Sequence, residues 1–187
     1  MTMKQQVFPW LTQISHAVLS EDRVYRYVLY RSLDGEAWDA ETSAEERRRR
    51  TICFVMLNPS TADENTNDRT IEKLMKFGRR LGFQRLAVVN LFAYRETDSK
   101  KLLSLAALRD LVGPDNDQHI VRVTGDSHKT VCAWGNEGSI QARDTAVRTL
   151  LEFHHAPEPL WCFKRSLTGQ PVHPLYQLDA AELVEFR

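Results

Sequence analysis

The chain has 187 residues, and its 25 Lys+Arg balance 25 Asp+Glu to a formal net charge of zero. At 42% apolar and 27% charged residues, the composition excludes a disordered or low-complexity polymer. The charge balance argues against a protein that coats DNA through an overall basic excess. One α/β domain over residues 1–187 is the expectation from length, and no linker or internal repeat divides it.

The opening Met1–Gln13 lacks a charged start followed by an apolar stretch, and no run of about 18 apolar residues occurs, so neither a signal peptide nor a membrane span is expected. Cys53, Cys132 and Cys162 each sit inside an apolar run. They read as small buried hydrophobes, a pattern that fits a reducing cytoplasm.

Residues 1–20 are weakly patterned and read as an irregular or short helical lead-in. Arg23 to Arg31 alternates polar and apolar residues, the period of a strand with one wet face. Leu33-Asp34-Gly35 is a turn, and residues 36–50 read as a solvated connection in which Glu45 and Glu46 offset part of Arg47–Arg50. Because a turn joins them, the 23–32 strand is expected beside the next one as an antiparallel neighbour.

That next strand, Thr51–Leu57, is apolar throughout and predicts burial on both faces, ended by Asn58-Pro59-Ser60-Thr61. Asn67 or Asp68 can cap a helix running to about Leu81, with Ile71, Leu74, Met75 and Phe77 inward and Gly82 as its stop. Further buried strands follow at Arg85–Phe92, Lys129–Trp134 and Pro159–Phe163. Helices are expected over 99–111, from Gly113-Pro114-Asp115 to about Val123, and over 138–154.

Strands alternating with helices predict βαβ units, hence a three-layer α/β sandwich around a mostly parallel sheet with an antiparallel N-terminal strand. Ligand sites in such sheets lie beyond the carboxyl ends of the strands. The residues there are Asn58-Pro59, Asn90 to Arg95, Trp134-Gly135 and the His173-Pro174 loop, so each exit carries an amide, an aromatic–glycine pair or a histidine.

Asn90 breaks an apolar run, and an amide there must find partners, because leaving it unpaired costs about 1–3 kcal/mol. It can satisfy neighbouring backbone or read a base edge, since it donates and accepts at once. The polar run after Pro59 admits two readings: a helix cap, or a rim in which Ser60, Thr61, Asp63, Asn65 and Asp68 hold a polar ligand. Calcium is rejected, because Asp68 stands where such a loop needs glycine and Leu74 where it needs glutamate. Phe92 and Trp134 are core or stacking surfaces. Among the six histidines only His173 looks chemical. The spacing needed for a metal centre is missing, and no cofactor is expected.

Two resemblances rest on these residues. Met56–Asp63, Val89–Arg95, Gly113–Asp117, Ala133–Gly135 and Gly169–Tyr176 look like a bacterial family known only as a domain of unknown function, over most of the chain. The order of motifs also resembles the uracil-DNA glycosylase superfamily. That likeness implies that Asn58, before Pro59, positions the attacking water and that Asn90 reads the base. It also implies that Trp134-Gly135 ends a core strand and that His173 stabilises the departing base. Leu175 stands where the superfamily has a serine for a DNA phosphate, and the loop after Pro59 is longer and more acidic, which weighs against duplex DNA.

The expected function is recognition of a nucleoside, nucleotide-like ligand or exposed base, with N-glycosidic cleavage as its chemistry. Asn58 and His173 would be catalytic. Pro59, Ser60, Thr61, Asp63, Asp68, Asn90, Phe92, Arg95, Trp134 and Gly135 would bind substrate, and Asp63 or Asp68 could serve as a stronger base than an amide. The alternative is a non-catalytic nucleotide-like ligand sensor on the same fold.

Overall fold

The structure is a computed structural model that describes residues 13–38, 41–155 and 159–187. Its frame is a seven-stranded mixed sheet. In chain order the strands are β1 (Ser15–Leu19), β2 (Arg26–Ser32), β3 (Thr51–Met56), β4 (Arg85–Asn90), β5 (Lys129–Cys132), β6 (Leu160–Cys162) and β7 (Val184–Glu185). The helices are α1 (Ala44–Arg49), α2 (Arg69–Arg80), α3 (Leu102–Leu105), α4 (Asn116–Gly125) and α5 (Arg143–His155).

In space the strands run β1-β2-β4-β3-β5-β6-β7. The four middle ones, β4-β3-β5-β6, are parallel, with antiparallel strands at both edges. The step from β3 to β4 moves one way across the sheet, and the steps to β5 and β6 move the other way. Right-handed crossovers therefore put α2 on one face and α4 and α5 on the opposite face. The core divides accordingly. Ile52, Phe54, Met56, Leu86 and Val88 pack under Ile71, Leu74 and Phe77 of α2. Their neighbours Cys53, Val55, Ala87 and Val89 pack with Ile120 and Val123 of α4 and Val147 and Leu151 of α5. This is the two-residue period of a strand covered on both faces. The three cysteines are free and buried, and burial pushes the thiols of Cys53, Cys132 and Cys162 up, so they behave as small hydrophobes.

Several expectations need correction. The antiparallel neighbour of β2 is β4, not the strand at 51–57, whose two edges are taken by β4 and β5. The connection from Ser32 to Thr51 contains α1 and is far longer than a hairpin loop, so it carries the chain past β4. Residues 15–19 form a strand rather than an irregular or helical lead-in; residues 1–12 lie outside the described residues. The supposed wet face of β2 is dry, with Arg26 and Arg31 buried, because both arginines bind the loop that follows Pro59. Over 99–111 only a 3-10 turn at Ser99–Lys101 and the short α3 are helical. The helix expected from 138 begins as a kinked 3-10 segment, Asn136–Ala142, and becomes α5 at Arg143. Strand β7 had no counterpart in the sequence reading. No helix among the described residues is long and apolar enough to cross a membrane.

Candidate functional site

Chain order reverses around β3, with its successors β4 and β5 on either side. Beyond the carboxyl ends of these strands lies a cavity of about 410 Å³, of a size to hold one small organic ligand. Its walls come from the ends of β3, β4 and β5, the start of α2, and the loop after β6.

Asn90 is at its floor and is fully buried, yet neither its Oδ1 nor its Nδ2 has a hydrogen-bond partner. The surrounding backbone, by contrast, is clamped. Asn116 Nδ2 donates to the carbonyls of Asn90 and Leu91 at 3.0 and 3.1 Å, and Arg143 Nε donates to Leu91 O at 2.8 Å. Arg143 in turn pairs with Asp117. The Gly113–Asp117 motif thus fixes the strand end that carries Asn90. An amide held this firmly, with both polar atoms unused, is poised for a ligand that both donates and accepts.

Arg26 reaches the same cavity from the antiparallel β2. It is 2% exposed, its Nη1 donates to Ala62 O at 2.6 Å, and its Nε has no partner. Burial pulls its pKa down to about 10, with Asp68 opposing, so it remains a cation at neutral pH. Arg31 ties the same loop through Asn67 Oδ1, Asp63 O and Thr66 O. These two arginines were missed because regular alternation in a strand reads as a wet face. The signal that could have found them is the acidic, carbonyl-rich loop that they must bind.

Asn58 Nδ2 donates to Glu96 O at 2.6 Å and Pro59 O at 3.1 Å. With the amide nitrogen anchored, no hydrogen bond among the described residues uses Oδ1, which is left as an acceptor in a cavity-lining residue. Asp68 caps α2, its Oδ1 accepting from Ile71 N at 2.9 Å, and it also lines the cavity. His173 Nδ1 accepts from Leu175 N at 3.3 Å, which places the ring proton on Nε2. Burial pushes the His173 pKa down, against the attraction of Asp68 and Glu137, so the ring is a neutral donor.

Trp134 is a wall held in place. Its Nε1 donates to Gln170 Oε1 at 2.7 Å, and Gln170 is held in turn by Asp144. Gly135 has φ 80 and ψ −174, a region open essentially to glycine alone, and its N donates to Pro171 O at 2.9 Å. That bond joins the end of β5 to the loop bearing His173.

The structure therefore brings Asn58, Ser60, Asp68, Asn90, Trp134, Gly135 and His173 together. It leaves others outside. Phe92 is fully buried in the core on the α4 and α5 side, so it offers no stacking face. Asp63 turns into its own loop, accepting from the Asn65 and Thr66 amides and the Thr66 hydroxyl, and this removes it as a base. Pro59 is buried beside the cavity, Thr61 is exposed, and Arg95 Nη1 reaches Arg23 O at 3.4 Å. Among lining residues the sequence reading passed over Glu96, Glu137 and Tyr176 along with Arg26. Glu96, Glu137 and Tyr176 follow strand ends at a distance, where no periodicity points to them.

A family model described as "Protein of unknown function (DUF1643)" matches residues 26–175, from the start of β2 to the turn after His173. No curated protein and no solved structure matches the chain.

Proposed function

The chain belongs to the DUF1643 family of proteins of unknown function, and from the geometry of its cavity we propose that it recognises a nucleobase and cleaves the N-glycosidic bond joining that base to a sugar. The observation that carries this reading is Asn90, a buried amide with both polar atoms free at the floor of a ligand-sized cavity. Pairing with a base edge supplies the donor and the acceptor it lacks. The succession Asn58-Pro59, Asn90, Trp134-Gly135 and His173-Pro174 around one cavity supports the likeness to uracil-DNA glycosylases.

In the proposed reaction, Asn58 Oδ1 accepts a hydrogen bond from a water whose oxygen bonds to the anomeric carbon. The carbon–nitrogen bond breaks, and its electron pair leaves on the base. An amide is too weak a base to take the water's proton, so that proton passes to Asp68 and then to the departing base. His173 Nε2–H donates to the base as negative charge grows on it. Much of the rate comes from such fixed donors aimed at developing charge. A chromatographic assay for free base, run over nucleosides, nucleotides and deaminated-base oligonucleotides, tests this. Release of a base that Asn58→Ala and His173→Ala suppress supports it. Tight binding with no release would instead favour the sensor, a reading suggested by Asp68 already spending one oxygen on the α2 cap.

A further inference from the structure

We propose that the ligand of this cavity is an unphosphorylated nucleoside, with its base on the floor and its sugar hydroxyls held by carboxylates at the mouth. This rests on the nucleobase reading above and narrows it. Among the described residues, the charged ones that line the cavity are one guanidinium, Arg26, and three carboxylates, Asp68, Glu96 and Glu137. The guanidinium is deep and lies within the field of Asp68, while Glu96 is half-buried, with Oε1 accepting from Asp98 N at 3.0 Å and Oε2 left for a ligand, and Glu137 is exposed.

A phosphate brings nearly two negative charges and calls for converging Arg or Lys donors or a free nest of backbone amides. No lysine lines the cavity among the described residues. Helix α2, whose start lines the cavity, already has the carboxylate of Asp68 on its N-terminus, where an anion would otherwise sit. Carboxylates at the mouth instead suit sugar hydroxyls, which donate to them as ribose does to an acidic residue in dinucleotide sites. On the floor, the Asn90 amide and Arg26 Nε are buried polar groups without partners, and base heteroatoms complete them. The polarity of the cavity is thus graded: donors and a free amide inside, acceptors outside. That order matches a nucleoside and not its 5′-phosphate.

The test is isothermal titration of the full chain with uridine, cytidine, adenosine and guanosine and with their 5′-monophosphates. At least one nucleoside binds, and its monophosphate binds roughly tenfold or more weakly, the effect of about two unscreened like-charge contacts. In E96Q/E137Q that gap narrows to less than about threefold. A monophosphate that binds the unaltered protein as tightly as its nucleoside overturns the inference, and so does preference for a single-stranded oligonucleotide. In both cases base recognition stands. If no probe binds, both readings fall. The comparison on the unaltered protein decides by itself should the double variant not fold.

Discussion

At the scale of single residues, His173 and Asn90 make separable predictions. His173 is neutral because burial disfavours its charged form and because Nδ1 accepts from the Leu175 amide. Protonation would set two donors against each other there. A histidine whose folded pKa lies below its ordinary value of 6.5 leaves the unfolded chain as the better proton binder. Its contribution to stability is therefore complete above about pH 6.5 and is lost as pH falls toward the folded value. His119, stacked on Tyr27 and also lowered by burial, acts in the same direction. Thermal melts of the unaltered protein should show a decline below pH 6.5 that is shallower in His119→Gln, and a slope unchanged by that substitution would remove this account. Base release should likewise hold from neutral pH upward and fall as His173 gains a proton. His173→Ala and Asn58→Ala should each cost ~10²–10³-fold in rate when assayed well below the melting transition of either variant. Asn90→Asp should behave differently, changing which base is accepted, because it exchanges a donor for an acceptor. An identical base preference in that variant would show that Asn90 does not read the base.

At the scale of elements, the ends of strands hold the site, and the backbone there is the vulnerable part. Gly135→Ala must place a Cβ on a backbone at φ 80 and ψ −174. A strained position of that kind costs ~1–3 kcal/mol, although its surroundings, no closer than 3.5 Å, leave room. Gly138→Ala fails for the opposite reason: its Cβ would lie 2.1 Å from Trp134 Cδ1, on a ring that Gln170 holds still. Both variants should melt earlier than the unaltered protein. Relaxing the Trp134 clamp with Gln170→Ala should recover part of the loss in Gly138→Ala and none in Gly135→Ala, and equal recovery in both would refute this distinction. The same elements show what was legible in the sequence. The stretches Ile52–Leu57 and Leu86–Val89 are continuously apolar, so burial of these strands on both faces could be read directly. The start of α2 could be narrowed to Asn67 or Asp68, of which Asp68 is the cap, and of its expected inner residues Ile71, Leu74 and Phe77 are buried while Met75 is half-buried. Strands β1 and β7 were not legible, because edge strands take their form from a partner and not from their own pattern. The pairing of β2 with β4 was hidden too, since chain adjacency favours the wrong neighbour. For the site, strand-end residues such as Asn58, Asn90 and His173 were accessible to reasoning from topology. Arg26 was not, because it enters from an edge strand whose alternation disguised two buried cations.

At the scale of the whole molecule, zero net charge leaves open whether one face is basic enough to bind DNA, and the fold answers through the placement of its arginines. The run Arg47–Arg50 forms the last turn and C-cap of α1, immediately before β3. It thus lies at the amino ends of the parallel strands, whereas the cavity lies beyond their carboxyl ends. A six-residue strand separates the two by roughly 20 Å. These arginines are also engaged locally. Arg49 pairs with Glu45, Arg50 with Glu46, and Arg48 Nε donates to Gly125 O at 3.2 Å. Arg79 and Arg80 donate to the carbonyls of Leu33 and Ala181. Among the described residues that line the cavity, the exposed or half-buried charges are acidic. A duplex laid over the mouth would meet carboxylates, and one gripped by Arg47–Arg50 would sit at the wrong end of the sheet. Few counterions would be released in either pose. Affinity for generic duplex DNA at physiological salt should therefore be no tighter than about 10⁻⁶ M, and log Kd should change with log salt by a slope no steeper than ~2–3. Fluorescence anisotropy with a labelled duplex across 50–200 mM salt measures both. A slope of 6 or more with sub-micromolar binding would mean that several phosphates are neutralised at once. Arg47→Glu and Arg48→Glu would then show whether the amino-end cluster, far from the cavity, is responsible.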